Sequence, residues 1–443
     1  MKTKNVLANK NFTLLFVGAL CSNIGQIFYT FAVGLYVLKI SDSSFIHGIY
    51  LASSGIVFLL GTPIGGFLAD RLNKARIVYL TDYMRGGLII ASGYIMFVIN
   101  NVSVQLVVLF VTAVFLNILS AVFNPAAASL IRFIVTDDQL QQAQSYYGVL
   151  NSVQNIIGVL LASILYSFIS IWLLFIIVGV LYVLSGFSEM FIRYNYQKSE
   201  SAVTIKTMIS DYGEGLRYLR GQKALLVMIL GVLFINFFFS PIFSNGTPYF
   251  VTYYIKGDYL FSAFVKPEMW KAIFTCSVSL GTLIISIVLG IKSDKGEYGV
   301  RVRRWLFILA LVLALIPISY YALIVINDKL DLFLITFTVV AFLIGIVTPN
   351  VNIPAGVAIQ KSVERDKLAK VQSLLTIGSL GLTPFASFIG GAVIEKLGLG
   401  PLFIICAAGI LFTSIFISAN KNIETLGIVD NTKNDNLIDE VTV

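Results

Sequence analysis

Apolar residues in this chain come in long unbroken runs separated by short polar loops, without the alternating or one-sided pattern of soluble strands and helices. A membrane-spanning helix needs about 20 predominantly apolar residues. Twelve stretches qualify: 12–38, 46–69, 77–99, 103–125, 144–168, 171–192, 224–254, 270–291, 305–326, 331–356, 371–394 and 401–419. The pattern predicts an all-α membrane protein. A six-helix bundle at 1–195 and another at 223–420 flank a polar linker at 196–222, and a polar tail at 421–443 is expected to be disordered. Within the linker region, Ile205, Met208, Ile209, Tyr212, Leu216 and Leu219 fall on one helical face, as in a helix lying on a membrane surface.

Composition agrees with this reading. The 443 residues are 57% hydrophobic and only 12% charged, with a mean hydropathy of +0.88, against roughly 25% charged in soluble domains. Such an apolar excess has to face lipid. The net charge of +8 is concentrated in loops on one side: Arg71, Lys74 and Arg76; Arg193 to Lys223; Lys292 to Arg304; Lys361 to Lys370. Basic loops mark the cytoplasmic side, so both termini are expected in the cytoplasm and the chain in the cell (inner) membrane. The basic balance therefore calls for no nucleic-acid partner.

Little in the sequence suggests catalysis. Cys21, Cys276 and Cys406 lie in separate apolar runs without metal-ligand spacing. The only histidine, His47, stands near a helix end, and no P-loop or nucleophile elbow is present. An enzyme is not expected, nor a cofactor or metal.

The halves echo each other. Gly66-Phe67-Leu68-Ala69-Asp70 follows the second span and Gly290-Ile291-Lys292-Ser293-Asp294 the eighth. Asn124-Pro125-Ala126 closes the fourth span and Asn352-Ile353-Pro354-Ala355 the tenth. A repeat at half the chain length is the layout of a two-bundle transporter, whose cavity lies between the halves. Polar stripes mark candidate cavity positions: Asn23, Gln26 and Thr30 with Tyr29 beside them, Asn117, Asn151 and Asn155, Asn236 and Ser240, and Thr348 and Asn352. Helix-to-helix glue is the competing reading of the same stripes. Pro125, Gly158, Pro354 and Pro384 are candidate hinge or packing positions. Asp82 and Arg85, spaced i, i+3, are expected to pair. Asp82, Glu189, Asp331 and Glu395 all lie near span ends, so the cavity is expected to carry no fixed charge.

Gly66 to Arg76 resembles the loop signature of the major facilitator superfamily, with Asn73 where glycine is usual and suited to the same left-handed turn. Asp82-Tyr83-Met84-Arg85, Phe123-Asn124-Pro125-Ala126, Gly213 to Tyr218 and Thr383-Pro384 with Gly390-Gly391 resemble the macrolide-efflux-like branch. The resemblance implies alternating access by two rocking bundles, a cytoplasmic gate at Gly66, Asp70, Arg71, Lys74, Arg76 and Asp294, in which Asp82 and Arg85 are expected to form a structural ion pair, and export of small amphipathic molecules by a monomer, often in exchange for protons. The antiporter pattern of the fifth span is absent: Gly158 stands, but Val159 and Ala162-Ser163 replace its proline and glycines. A lipid or lysophospholipid translocator of the same fold, and a non-transporting membrane receptor, are the alternative readings.

Overall fold

The computed structural model describes residues 6–136, 139, 142–143, 146–147, 150, 154–194, 217–259, 261–291, 297–363, 368–420 and 423. Its helices are α1 (Lys10–Ser41), α2 (Ser44–Arg71), α3 (Lys74–Val98), α4 (Val102–Ile134), α5 (Gln154–Phe168), α6 (Ile171–Glu189), α7 (Lys223–Tyr253), α8 (Pro267–Ile291), α9 (Tyr298–Ile326), α10 (Leu330–Ser362), α11 (Leu368–Leu397) and α12 (Leu399–Ser418). Among the described residues there is no strand, and nine of these helices are long and apolar enough to cross a membrane. The linker residues 196–216, the loop residue Asp294 and the tail from 424 onward lie outside the described residues.

Local chemistry sets where the helices begin. Asn9, Ser43, Asn73 and Asn101 each accept a backbone N–H from the first turn of α1, α2, α3 and α4, filling donors that would otherwise be orphaned in an apolar setting. Asn73 is therefore an N-cap in extended conformation (φ −64°), not the left-handed residue expected from its position. Its amide side chain supplies a cap that glycine lacks. Helices α4 and α10 also run past the expected ends at Pro125 and Pro354. Proline removes one ladder hydrogen bond, and Ser129 Oγ donates to the Pro125 carbonyl 2.8 Å away, one turn beyond the proline.

The halves pack alike. In the first, α1 packs on α6, α2 on α4, and α3 on α4 and α6; in the second, α7 packs on α12, α8 on α10, and α9 on α10 and α12. Glycine permits the closest of these approaches. A Cβ on Gly65 would lie 1.9 Å from the Ala121 carbonyl oxygen, and one on Gly345 would lie 2.1 Å from that of Val278. Gly66, singled out from the loop motif, faces open space. The close contact belongs to its neighbour.

Between the halves, α2 packs on α11, α5 on α8, and α1 on the last turns of α7. These contacts gather toward the face opposite the one where α1 begins and α12 ends, here termed the closed face and the terminal face. Glu395 Oε2 accepts the Ser44 and Phe45 N–H groups at 2.8 and 3.3 Å. Tyr253 Oη donates to Asp42 at 2.6 Å. Gly48 and Gly391 lie back to back, and Pro384 fills the space left by Gly55. Toward the terminal face α2 is bare: Leu60 and Ile64 are 67% and 58% exposed.

A side chain at position 391 would press on the Ser44 oxygen (2.4 Å) and Gly48 Cα (2.9 Å). Gly391→Val is expected to splay α2 from α11 without unfolding either half. A short thiol crosslinker joining cysteines placed at Ser43 and Lys396 should react well in the parent and poorly with Gly391→Val, while a Gly66→Val control behaves as the parent.

Candidate functional site

Two cavities matter. The larger, of 550 Å³, lies between the halves against the closed face and is walled by α1, α2, α7, α8 and α11. Its volume falls in the range of small-molecule sites. Leu51, Phe239, Phe243, Pro248 and Val278 form an apolar wall, with Thr30, Asn236, Ser240, Ser244, Thr275 and Ser279 as polar positions. The smaller, of 390 Å³, sits within the first half among α1, α2, α3, α4 and α6.

The sequence-predicted cavity residues divide between these spaces. Asn236 and Ser240 line the central cavity, whereas Asn23, Gln26 and Asn117 line the smaller one. Tyr29 lines neither. It is 4% exposed, tilts against Phe175 and has its hydroxyl 3.5 Å from that of Tyr50. Thr348 returns its hydroxyl to the Ile344 carbonyl, while Asn155 and Asn352 are exposed and line neither space. Asn151 lies outside the described residues. Gly158, closing a π-helical turn at the start of α5, packs against Ile27.

The central cavity contradicts the expectation of an uncharged lumen, because Lys271 lines it. Its Nζ donates to the Phe31 carbonyl at 3.3 Å and lies 4.5 Å from the centre of the Phe31 ring. No carboxylate pairs with it among the described residues. His47 is part of the same wall, 1% exposed, and its Nε2 has no hydrogen-bond partner there. Position along the chain concealed both. Each stands within a few residues of a helix start, where a polar group usually meets water, but five helices converge on the closed face and enclose those ends.

The first half holds a second polar centre. Asp82 and Arg85 form the expected ion pair, at 3.0 Å, with side chains 0% and 4% exposed. It is buried inside the first bundle, with Arg85 on the wall of the smaller cavity. The Arg85 guanidinium stacks over the Phe123 ring at 4.4 Å and lies 5.7 Å from that of Tyr182, contacts that suit a planar cation. Glu189 joins the cluster, fully buried against Gly18, and neither of its carboxyl oxygens has a partner among the described residues. The neighbouring Ser185 hydroxyl is spent on the Gly18 carbonyl at 2.8 Å. Arg85 pairs with Asp82 alone, and the Glu189 carboxyl group is buried nearby without a bond to it. A hydrogen-bonded run leads outward: Tyr182 Oη donates to Gln26 Oε1 at 2.7 Å, and Gln26 Nε2 donates to Thr30 Oγ1 at 3.0 Å, on the central cavity wall.

In the loop motif, Lys74 turns inward, its Nζ donating to the Ala69 carbonyl at the end of α2 and facing the Phe133 ring. Arg71 lies over Phe67, and Arg76 is exposed. Of the Asp70 side chain the structure gives no description. Among the described residues no group of His, Cys, Asp and Glu could hold a metal ion.

Two helical bundles enclosing a cavity at their interface define a membrane transporter. The Major Facilitator Superfamily model matches residues 15–352, and the chain belongs to that family. It is 23% identical to the MFS-type transporter YkuC of Bacillus subtilis strain 168, over 94% of each chain, and 26% identical to YvqJ of the same organism, over 68% of this chain and 69% of the relative. Among solved structures, a point mutant of the nucleoside transporter NupG superposes with a TM-score of 0.72 at 11% identity, covering 92% of this chain and 99% of NupG. A bacterial homologue of the iron transporter ferroportin, in an inward-facing state, gives 0.69 at 14% identity, covering 92% and 98%.

Removing one member of a buried charge cluster leaves the rest uncompensated, at a cost of about 3–5 kcal/mol. Arg85→Met is expected to lose roughly that much stability, read as a large fall in thermal midpoint of the detergent-purified protein. The double change Asp82→Asn with Arg85→Met should recover part of it. Equal midpoints for the parent and the single variant would show the cluster to be energetically silent.

Proposed function

We propose that the chain is a secondary transporter that exports small amphipathic molecules by alternating access, exchanging them for protons. The observation that carries the transport reading is the central cavity, walled by both halves and, among the described residues, sealed by their contacts at the closed face. Basic loops toward the terminal face support a cytoplasmic orientation for that side, so the closed face is external and the described conformation opens inward. Asp70 and its basic neighbours would then belong to the cytoplasmic gate, consistent with the loop motif.

Amphipathic substrates suit a cavity with an apolar wall and a few convergent polar groups. Proton exchange is supported by the charge inventory of the first bundle. Asp82 and Glu189 against Arg85 leave one negative charge to be balanced, and an unpaired charge within a membrane is costly by several kcal/mol. One exchangeable proton supplies the balance, and the Tyr182–Gln26–Thr30 run connects the cluster to the substrate cavity. This route needs no acid in the lumen, nor the fifth-span pattern that the sequence lacks.

In proteoliposomes, an imposed pH gradient should drive uphill accumulation of a hydrophobic dye substrate, and the Asp82→Asn protein should lose that accumulation while retaining downhill counterflow. Parallel loss of both fluxes would make Asp82 structural. Wild-type flux indifferent to the gradient would remove proton exchange and leave facilitated diffusion.

A further inference from the structure

We infer that the substrate carries a single negative charge, so that the central cavity is a site for amphipathic organic monoanions; this rests on reading that cavity as the transport path. Lys271 is the observation that sets the charge. Its ammonium lies in a predominantly apolar cavity with one long hydrogen bond, to the Phe31 carbonyl, and no carboxylate pairs with it among the described residues. An ammonium has three donors, so two remain for a ligand. Placing an unpaired cation at such depth is costly, and ionisable groups inside membrane bundles mark substrate or ion paths.

The second, independent observation is His47. Its ring is 1% exposed, belongs to the same wall, and has an Nε2 without a partner among the described residues. A polar atom buried in that way calls for a partner, and His47 and Lys271 belong to the wall of one cavity. The other polar residues of the wall, Thr30, Asn236, Ser240 and Thr275, are neutral. One fixed cation balances one negative charge, which favours a carboxylate over a phosphate dianion and disfavours cationic amphiphiles. Phe239, Phe243, Leu51 and Val278 then take the apolar body of the ligand.

The test uses the full-length protein in nanodiscs, with calorimetric binding of 4-phenylbutyrate, its neutral amide and the corresponding primary ammonium, corrected against empty nanodiscs. The wild type is expected to bind the carboxylate roughly tenfold more tightly than the amide, about 1.4 kcal/mol, and the ammonium least. Lys271→Gln should bring the carboxylate-to-amide ratio to about one, and Lys271→Arg should preserve the preference. A wild-type ratio near one, or a preference unchanged in Lys271→Gln, overturns the proposal, and the wild-type series decides even if the glutamine variant fails to fold. Counterflow of the same compounds separates the two readings. Lys271-dependent binding without counterflow keeps the anion site and removes transport, whereas equal counterflow of carboxylate and amide keeps transport and removes the anion site.

Discussion

The contact on which the rest depends is the one between α2 and α11 at the closed face. Gly48 and Gly391 let the two backbones meet, Pro384 settles into the space at Gly55, and Glu395 caps the start of α2 from the other half of the molecule. A carboxylate at a helix N-terminus contributes on the order of 0.3–2 kcal/mol. The seal is thus built from van der Waals contact without side chains in the way, plus a few polar bonds of modest strength. Such a joint holds one state without making the other inaccessible. Because it gathers at one end, it turns the interface between two similar bundles into a pocket with a floor, which the central cavity requires.

The polar groups follow from that geometry. Within each half, helices meet through glycine and apolar side chains, as lipid-embedded bundles do. Among the described residues, enclosed charge lies in three places: Lys74 against the end of α2, the Asp82–Arg85–Glu189 cluster inside the first half, and Lys271 with His47 on the cavity wall. Between the last two run two hydrogen bonds, from Tyr182, whose ring lies beside Arg85, to Gln26 and from Gln26 to Thr30 on the cavity wall.

Much of the architecture was legible in the sequence because the bilayer imposes a length and a polarity on every span, and the half-length repeat declared the two bundles. The ion pair of Asp82 with Arg85 was legible from i, i+3 spacing alone. What position along the helix could not reveal was depth. Lys271, His47 and Glu189 each stand near a helix end, and the enclosure of those ends comes from helices far away in sequence. Polarity was likewise no guide to position: Asn155 and Asn352 fit the same stripes as Asn236 but are exposed and do not line the central cavity, and Tyr29 turned into the core because its ring packs on Phe175. Beside the loop motif, the backbone contact that demands glycine is made by Gly65, while Gly66 faces open space.

The central claim is that the two faces open in alternation. The most direct measurement is double electron–electron resonance in nanodiscs, on a protein whose Cys21, Cys276 and Cys406 are replaced by serine. One label pair at Phe45 and Leu397 spans the closed face, and another at Phe133 and Arg304 spans the terminal face. The account predicts two distance populations for each pair, with a short closed-face distance accompanying a long terminal-face distance, and conditions that lengthen the first shortening the second. Distances that stay fixed at both faces, or that lengthen together, would contradict it.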